Sequence, residues 1–150
     1  MKKENNDKKR REMFIAKCRS LVGTPFKHRG RTRNGIDCGG LVMLASAELG
    51  AEVYDMEYGR EVDGEEMRKA VIKNFGETKH KSEIKPGDIV LLTYLREPKH
   101  IGVVGTHPAD PSLLTLMHAY KEEGRTVEHR IDDAWAEKIL EAYNPPFFPL

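Results

Sequence analysis

The hydrophobic positions change period once along the chain, from helical spacing in its first half to alternation in its second. Between Met13 and Val22 the apolar residues Phe14, Ile15, Cys18, Leu21 and Val22 recur at helical spacing, and Gly23 with Pro25 ends the run. This predicts a first helix with Cys18 on its buried face, acting as a small core hydrophobe. The next stretch, TPFKHRGRTRNGI, has no period and reads as a shaped loop. A second helix is predicted from Asp37 or Cys38 to a glycine stop at Gly50; Leu41, Val42, Leu44, Ala45 and Leu49 make it apolar nearly all round and therefore central. Residues 51–61 are mixed and predict nothing, while DGEEMRKAVIKNFG predicts a more exposed third helix with Met67, Val71 and Phe75 inward.

At KPGDIVLLTYL the Pro86-Gly87 turn is followed by a β-branched and aliphatic run, which predicts a strand. KHIGVVG, SLLTLMHAY and RTVEHRI predict three more, ahead of a short helix over about Asp132 to Glu141 and an extended, surface-covering tail, NPPFFPL. Helices first and adjacent antiparallel strands later make an α+β domain, with helices packed on one face of a meander.

With 150 residues the chain can bury one core, which predicts a single domain over 13–150 after a charged, frayed N-terminus over 1–12. Twenty-five basic residues against 24 acidic give a net charge of +1, so no global field draws the protein to nucleic acid or an anionic membrane. Neither nucleic-acid binding nor membrane insertion is expected. Cys18 and Cys38 lie in such different surroundings that reduced thiols are expected. No apolar run has the length of a secretory signal or a membrane span, which predicts cytoplasmic synthesis without a signal peptide.

The chemistry-bearing segment is IDCGGLV. Asp37 can cap a helix, Cys38 then sits in its first turn, and Gly39 and Gly40 keep the approach open. Unpaired first-turn N–H groups stabilise a thiolate, so such a cysteine can fall from about 8.5 toward 4 to 7 when a histidine helps, and the same amides can hold an oxyanion. A buried structural cysteine with incidental glycines is the competing reading.

His100 opens an alternating strand with Gly102 and Val104 on its face, and Leu114, Leu116, His118 and Tyr120 share a face of the next. A hairpin loop centred on Ala109 would set His100 directly opposite His118, with Cβ atoms about 4.5 to 5.5 Å apart. His100 would then take the proton of Cys38 while His118 fixes its tautomer. Hydrogen-bonded core histidines are the alternative; a three-ligand zinc site is another, but no metal-ligand spacing supports it and no metal or cofactor is expected. The basic loop before the nucleophile, with Lys27, His28, Arg29, Arg31 and Arg33, suits a ligand carrying carboxylates or phosphates. His80, His107 and His129 receive no role.

Four blocks in order, GTPFKHRGRTRNGIDCGGLV, KPGDIVLL, KHIGVVG and LMHAY, resemble the NlpC-type cell-wall cysteine peptidases over roughly Phe14 to Tyr120. The resemblance implies a papain-like α+β fold with the nucleophile at a helix N-terminus. It also implies cleavage of peptidoglycan stem peptides, typically between D-glutamate and the diamino acid. By position, Cys38 matches the nucleophile, His100 the general base, His118 the third polar member and Asp37 an acidic residue that helps hold substrate. Phe26 stands where the family usually has tyrosine and Gly39 where it has serine, so two hydroxyls near the substrate are lost; with His28 and Arg29 these complete the expected substrate-binding set. The K-H-R-G block, EHRIDDAW and the proline-rich aromatic end look more like the branch encoded by tailed phages and prophages. That implies a virion-delivered enzyme acting in the host periplasm, with tail hub or tip proteins as partners. A structural tail component without activity, or a thiol hydrolase acting on a protein or acyl lipid, are the alternatives.

Overall fold

The computed structural model describes residues 2–56, 64–94 and 97–150. The end of the mixed stretch (57–61), Asp63 ahead of the third helix and Leu95 at the end of the first strand segment lie outside the described residues.

The helical half follows its periodicity. Helix α1 (Lys2–Ser20) buries Phe14, Ile15 and Cys18 as predicted. It begins at Lys2 rather than at Met13, and the charged tract is its first turns. Arg11 explains the extension: its Nε donates to Asp7 one turn earlier at 2.9 Å, while Nη1 reaches the fully buried Asp88 at 2.6 Å. The aperiodic loop folds into a two-stranded hairpin, β1 (Arg31–Thr32) and β2 (Gly35–Ile36). Helix α2 (Cys38–Glu48) follows, and of its residues Cys38 to Met43, Ala45 and Ser46 are buried, as its nearly all-round apolar character requires. Helix α3 (Gly64–Phe75) buries Gly64 and the predicted stripe of Met67, Val71 and Phe75.

The alternating half builds β3 (Ile89–Tyr94), β4 (Glu97–Thr106), β5 (Leu114–Tyr120) and β6 (Arg125–Arg130), an antiparallel meander in sequence order. Beyond it the expected helix to Glu141 stops early: α4 covers only Asp133–Lys138, and Ile139–Tyr143 is a fifth strand, β7, paired with β3 in the order β6-β5-β4-β3-β7. The tail segment is rich in helix formers, yet β3 would otherwise present an open edge. Pairing there also buries Ile139, Ala142 and Tyr143, and this tertiary gain overrides local propensity.

Alternation divides the sheet into two faces. Ile89, Leu91, Ile101, Val103, Met117 and Ala119 enter the larger core beneath α1, α2 and α3. Val90, Leu92, Val104, Leu116, Ile139 and Ala142 form a smaller cluster on the opposite face, joined by Ile84, Ile131 and Trp135. Helices therefore cover one face as expected, and α4 contributes Trp135 to the other. The C-terminal tail lies against α1, where Arg10 Nε donates to the Phe148 carbonyl at 2.7 Å and Phe148 is buried.

Asp88 ties these layers together. It accepts from Arg11, from Lys79 Nζ at 2.8 Å and from the Lys85 N–H at 3.0 Å, while Arg11 Nη2 also reaches Asn144 at 3.1 Å. Removing the carboxylate would leave two cations around a site with no exposure. Asp88→Ala is expected to lose about 3 to 5 kcal/mol of unfolding free energy in urea titration; a loss below about 1 kcal/mol would show that the network does not hold α1 to the sheet.

Candidate active site

The loop and the start of α2 are locked through Asp37. Its Oδ1 accepts the Gly40 N–H at 2.8 Å, which is the helix cap the sequence predicts, and also takes Arg31 Nη1 at 2.9 Å. Oδ2 accepts the Arg29 N–H at 2.8 Å. Arg31 in turn donates to Asp55 at 2.7 Å and to the Met56 carbonyl at 2.9 Å. Arg29 pays for the tight loop with a left-handed backbone, φ 60°, a strain on the order of 1 kcal/mol that the Asp37 bond offsets. Glycine is required where the loop meets the helix. A Cβ on Gly40 would lie 2.1 Å from the Gly30 carbonyl oxygen, so the two backbones approach as only glycine allows.

This clamp sets Cys38 in the first turn of α2, 9% exposed. The Gly39 and Ile101 N–H groups donate toward its sulfur. The β4–β5 pairing ends at Val103↔Met117, and the Ile101 amide, two residues beyond that end, faces the sulfur. Since Ile101 follows His100 directly, the nucleophile candidate lies against the strand that carries the base candidate.

The histidines share a face but not the predicted register. Val103 opposes Met117 and Thr106 opposes Leu114, so partner numbers sum to 220 rather than 218. Asp110 is the cause: it centres the loop, its side chain accepting from the Ser112 N–H at 3.1 Å and hydroxyl at 2.6 Å, while the His107 N–H closes on the Leu113 carbonyl at 2.9 Å. Continued along the strands, this register sets Gly102 against His118, and His100 meets His118 diagonally. The rings still bond, His100 Nε2 to His118 Nδ1 at 2.7 Å. A Cβ on Gly102 would fall 2.7 Å from Leu116 Cδ1 and 3.3 Å from His118 Cβ, so glycine leaves the space in which His118 sits.

Sequence reasoning gave His129 no role, yet His118 Nε2 bonds His129 Nε2 at 2.8 Å and His129 Nδ1 meets the Arg130 carbonyl at 2.9 Å. Trp135 stands edge-on to His118 with centroids 5.1 Å apart and lies 4.9 Å from the His129 ring, while Tyr120 lies 4.9 Å from His118. The signal for His129 was available in the alternation of Val127 and His129, which the β5–β6 pairing sets against His118 and Leu116. Trp135 had no comparable signal, because it arrives from α4, whose Asp132 cap accepts the Trp135 N–H at 2.9 Å.

Of the expected substrate-binding residues, Gly39 is buried beside the thiol and Asp37 is 3% exposed with both oxygens engaged in the clamp. Phe26 is half-buried against the helical core, and its N–H donates to the Gly124 carbonyl at 2.8 Å. His28 and Arg29 are exposed on the loop. Among the described residues, no group of three or more His, Cys, Asp or Glu is arranged to hold a metal, and no helix is long and apolar enough to cross a membrane.

Electrostatics correct one expectation. Burial, and then Asp37, push the Cys38 thiol up to about 12; the Ile101 and Gly39 amides and Arg31 pull it back only partly. Burial pushes His100 down to about 4 against the opposing pull of Glu122 and Asp37. His118 falls to about 2, through burial and then through His100 and His129. These shifts favour a neutral thiol and neutral imidazoles at His100 and His118.

The fold and the placement of Cys38 define the papain-like α+β class. The chain matches the NlpC/P60 family over residues 23–143 and belongs to that family. It is 29% identical over 122 residues to the probable endopeptidase NlpC homologue of Haemophilus influenzae, covering 81% of this chain and 55% of that protein. Against the probable endopeptidase NlpC of Escherichia coli it is 28% identical over 121 residues, 79% of this chain and 67% of that one. The chain thus spans little more than half of the first relative. The crystal structure of the NlpC/p60 domain of the peptidoglycan hydrolase SagA shares its fold, with a TM-score of 0.63 at 16% identity over 89% of this chain and 97% of that one.

A histidine held neutral by the fold ties stability to pH. The unfolded chain protonates His118 below about 6.5 while the folded chain does not, so this contribution is complete above 6.5 and is lost as pH falls toward about 2. Stability is therefore expected to fall by up to about 1.4 kcal/mol per pH unit from His118 as pH drops below 6.5, before carboxylates titrate. His118→Gln should flatten that slope in denaturant titrations. An equal slope in the variant would show that His118 ionises freely.

Proposed function

We propose that the chain is a cysteine endopeptidase of peptidoglycan stem peptides, acting at the amide between D-glutamate and the diamino acid through Cys38, His100 and His118. The single observation that carries this reading is the 2.7 Å bond between His100 and His118 on the strand whose next amide holds the Cys38 sulfur. Family membership and the peptidoglycan hydrolase that shares the fold support the substrate class.

In this mechanism the Cys38 Sγ–H proton moves to His100 as sulfur attacks the carbonyl carbon. The C–N bond then breaks, the amine leaves with the proton from His100, and an acyl thioester remains. Water, deprotonated by His100, attacks that thioester; the C–S bond breaks and the proton returns to sulfur. With the Gly39 amide on the sulfur and the Gly40 and Leu41 amides on Asp37, the Cys38 N–H is the first-turn amide of α2 left to receive the carbonyl oxygen as it gains charge. The loop carries Lys27, His28 and Arg29 on its exposed side, a donor-rich rim suited to stem-peptide carboxylates. Phe26 and Gly39 offer the substrate no hydroxyl, so selection there rests on shape and backbone. Asp37 acts on substrate indirectly, by holding the rim in place.

Digestion of defined muropeptides by the wild type and by Cys38→Ala tests this reading. The wild type should release the peptide beyond D-glutamate, and the variant should lose at least about 10³-fold in rate. Equal release by both would overturn it.

We further propose delivery by a phage tail, through hub or tip proteins, a reading supported by the K-H-R-G and EHRIDDAW blocks. The protein should then co-purify with intact virions in mass spectrometry, and its absence from them would count against delivery.

A further inference from the structure

The histidine contacts form a chain whose polarity is set at one end by a group that cannot donate. Arg130 contributes a carbonyl oxygen, so the hydrogen in the 2.9 Å contact sits on His129 Nδ1. In a neutral ring this leaves His129 Nε2 as an acceptor, and the 2.8 Å contact then requires the hydrogen on His118 Nε2. His118 Nδ1 is consequently an acceptor, and the 2.7 Å contact places the hydrogen on His100 Nε2. His100 Nδ1 is left with its lone pair. Reversing the chain would require hydrogens on both nitrogens of His129, that is, a cation between His118 and the Arg130 carbonyl.

From this geometry we propose that His129 is a positioning residue: by accepting from His118 it fixes the tautomers of all three imidazoles and presents His100 with an unprotonated Nδ1 toward Cys38. The inference rests on the proposed roles of Cys38 and His100 and adds a residue to them. Packing supports it independently. His118 has no exposure, and Tyr120 and Trp135 close around it, so no solvent competes for its Nε2–H. Trp135 is likewise tilted at 43° over the His129 ring, holding it in place for the bond. Without the His129 acceptor, His118 would keep a buried donor unsatisfied; shifting its hydrogen to Nδ1 satisfies it through His100 Nε2 and forces the His100 hydrogen onto Nδ1, where it blocks the base.

The test reads tautomers directly. In 15N spectra of the full chain above neutral pH, His129 should carry its hydrogen on Nδ1 and His118 and His100 theirs on Nε2. His129→Phe should move His100 toward the Nδ1–H form and lower kcat on defined muropeptides by about 10- to 100-fold with little change in KM. His129→Gln, whose amide oxygen can accept the same bond, should restore the wild-type tautomers and most of kcat. A wild-type His100 protonated on Nδ1 would overturn the proposal, as would wild-type tautomers and kcat in His129→Phe. If His129→Phe does not fold, the wild-type spectrum and the Gln variant still decide. Should muropeptides prove not to be substrates, the proposed function fails, while the tautomers still decide the relay.

Discussion

The structure around Cys38 depends on one carboxylate. Asp37 caps α2, holds the Arg29 N–H and pairs with Arg31, so the helix start, the loop and the segment reaching Met56 share a single anchor. The close Gly30–Gly40 approach and the left-handed Arg29 are its consequences, since neither would persist without bonds that over-determine the loop. The same charge acts on the chemistry. It raises the thiol and also raises His100, so it opposes a free thiolate and favours a charged imidazole. The anchor that builds the site therefore acts on both groups, while burial is the larger cause of each shift.

The sheet serves the site through its two unlike faces. One is an ordinary apolar floor for α1, α2 and α3, and it fixes where the Cys38 helix lies. The other carries polar rings amid apolar cover, and the same alternation that sends Ile101 and Val103 down to the helices sends His100 and Val104 the other way. The fully buried His118 needs a partner for each of its ring nitrogens. Here the partner of each ring is the next ring, and the last is answered by backbone. Trp135 closes the arrangement, which gives α4 and the irregular C-terminal course a role that a shorter meander would lack.

Much of this was legible in the sequence because it depends on period. The α2 core stripe, the α3 stripe of Met67, Val71 and Phe75, and the common face of His100 and His118 all follow from spacing alone. What escaped depends on partners distant in sequence. Ile139–Tyr143 is a strand because β3 has an edge to fill, not because of its own residues. The register differs by two residues because Asp110 and Ser112 set the centre of the loop. Arg11 looked like one more charge in a basic tract until Asp88 came to meet it. The helix start predicted a lowered thiol, and burial together with Asp37 reverses the direction. His129 is within reach of the period-two argument, but its significance lies in the His118 ring diagonal to it on β5.

The central claim is that a half-buried, neutral His100, oriented by His118, receives the Cys38 proton. The pH dependence of kcat/KM on a defined muropeptide tests it most directly, since its acid limb reports the essential base of the free enzyme. The account predicts full activity through mildly acidic pH and an acid limb near 4, where His100 gains its proton. An acid limb near 6.5, the ordinary histidine value, would contradict it, because the base would then be an imidazole that water reaches freely.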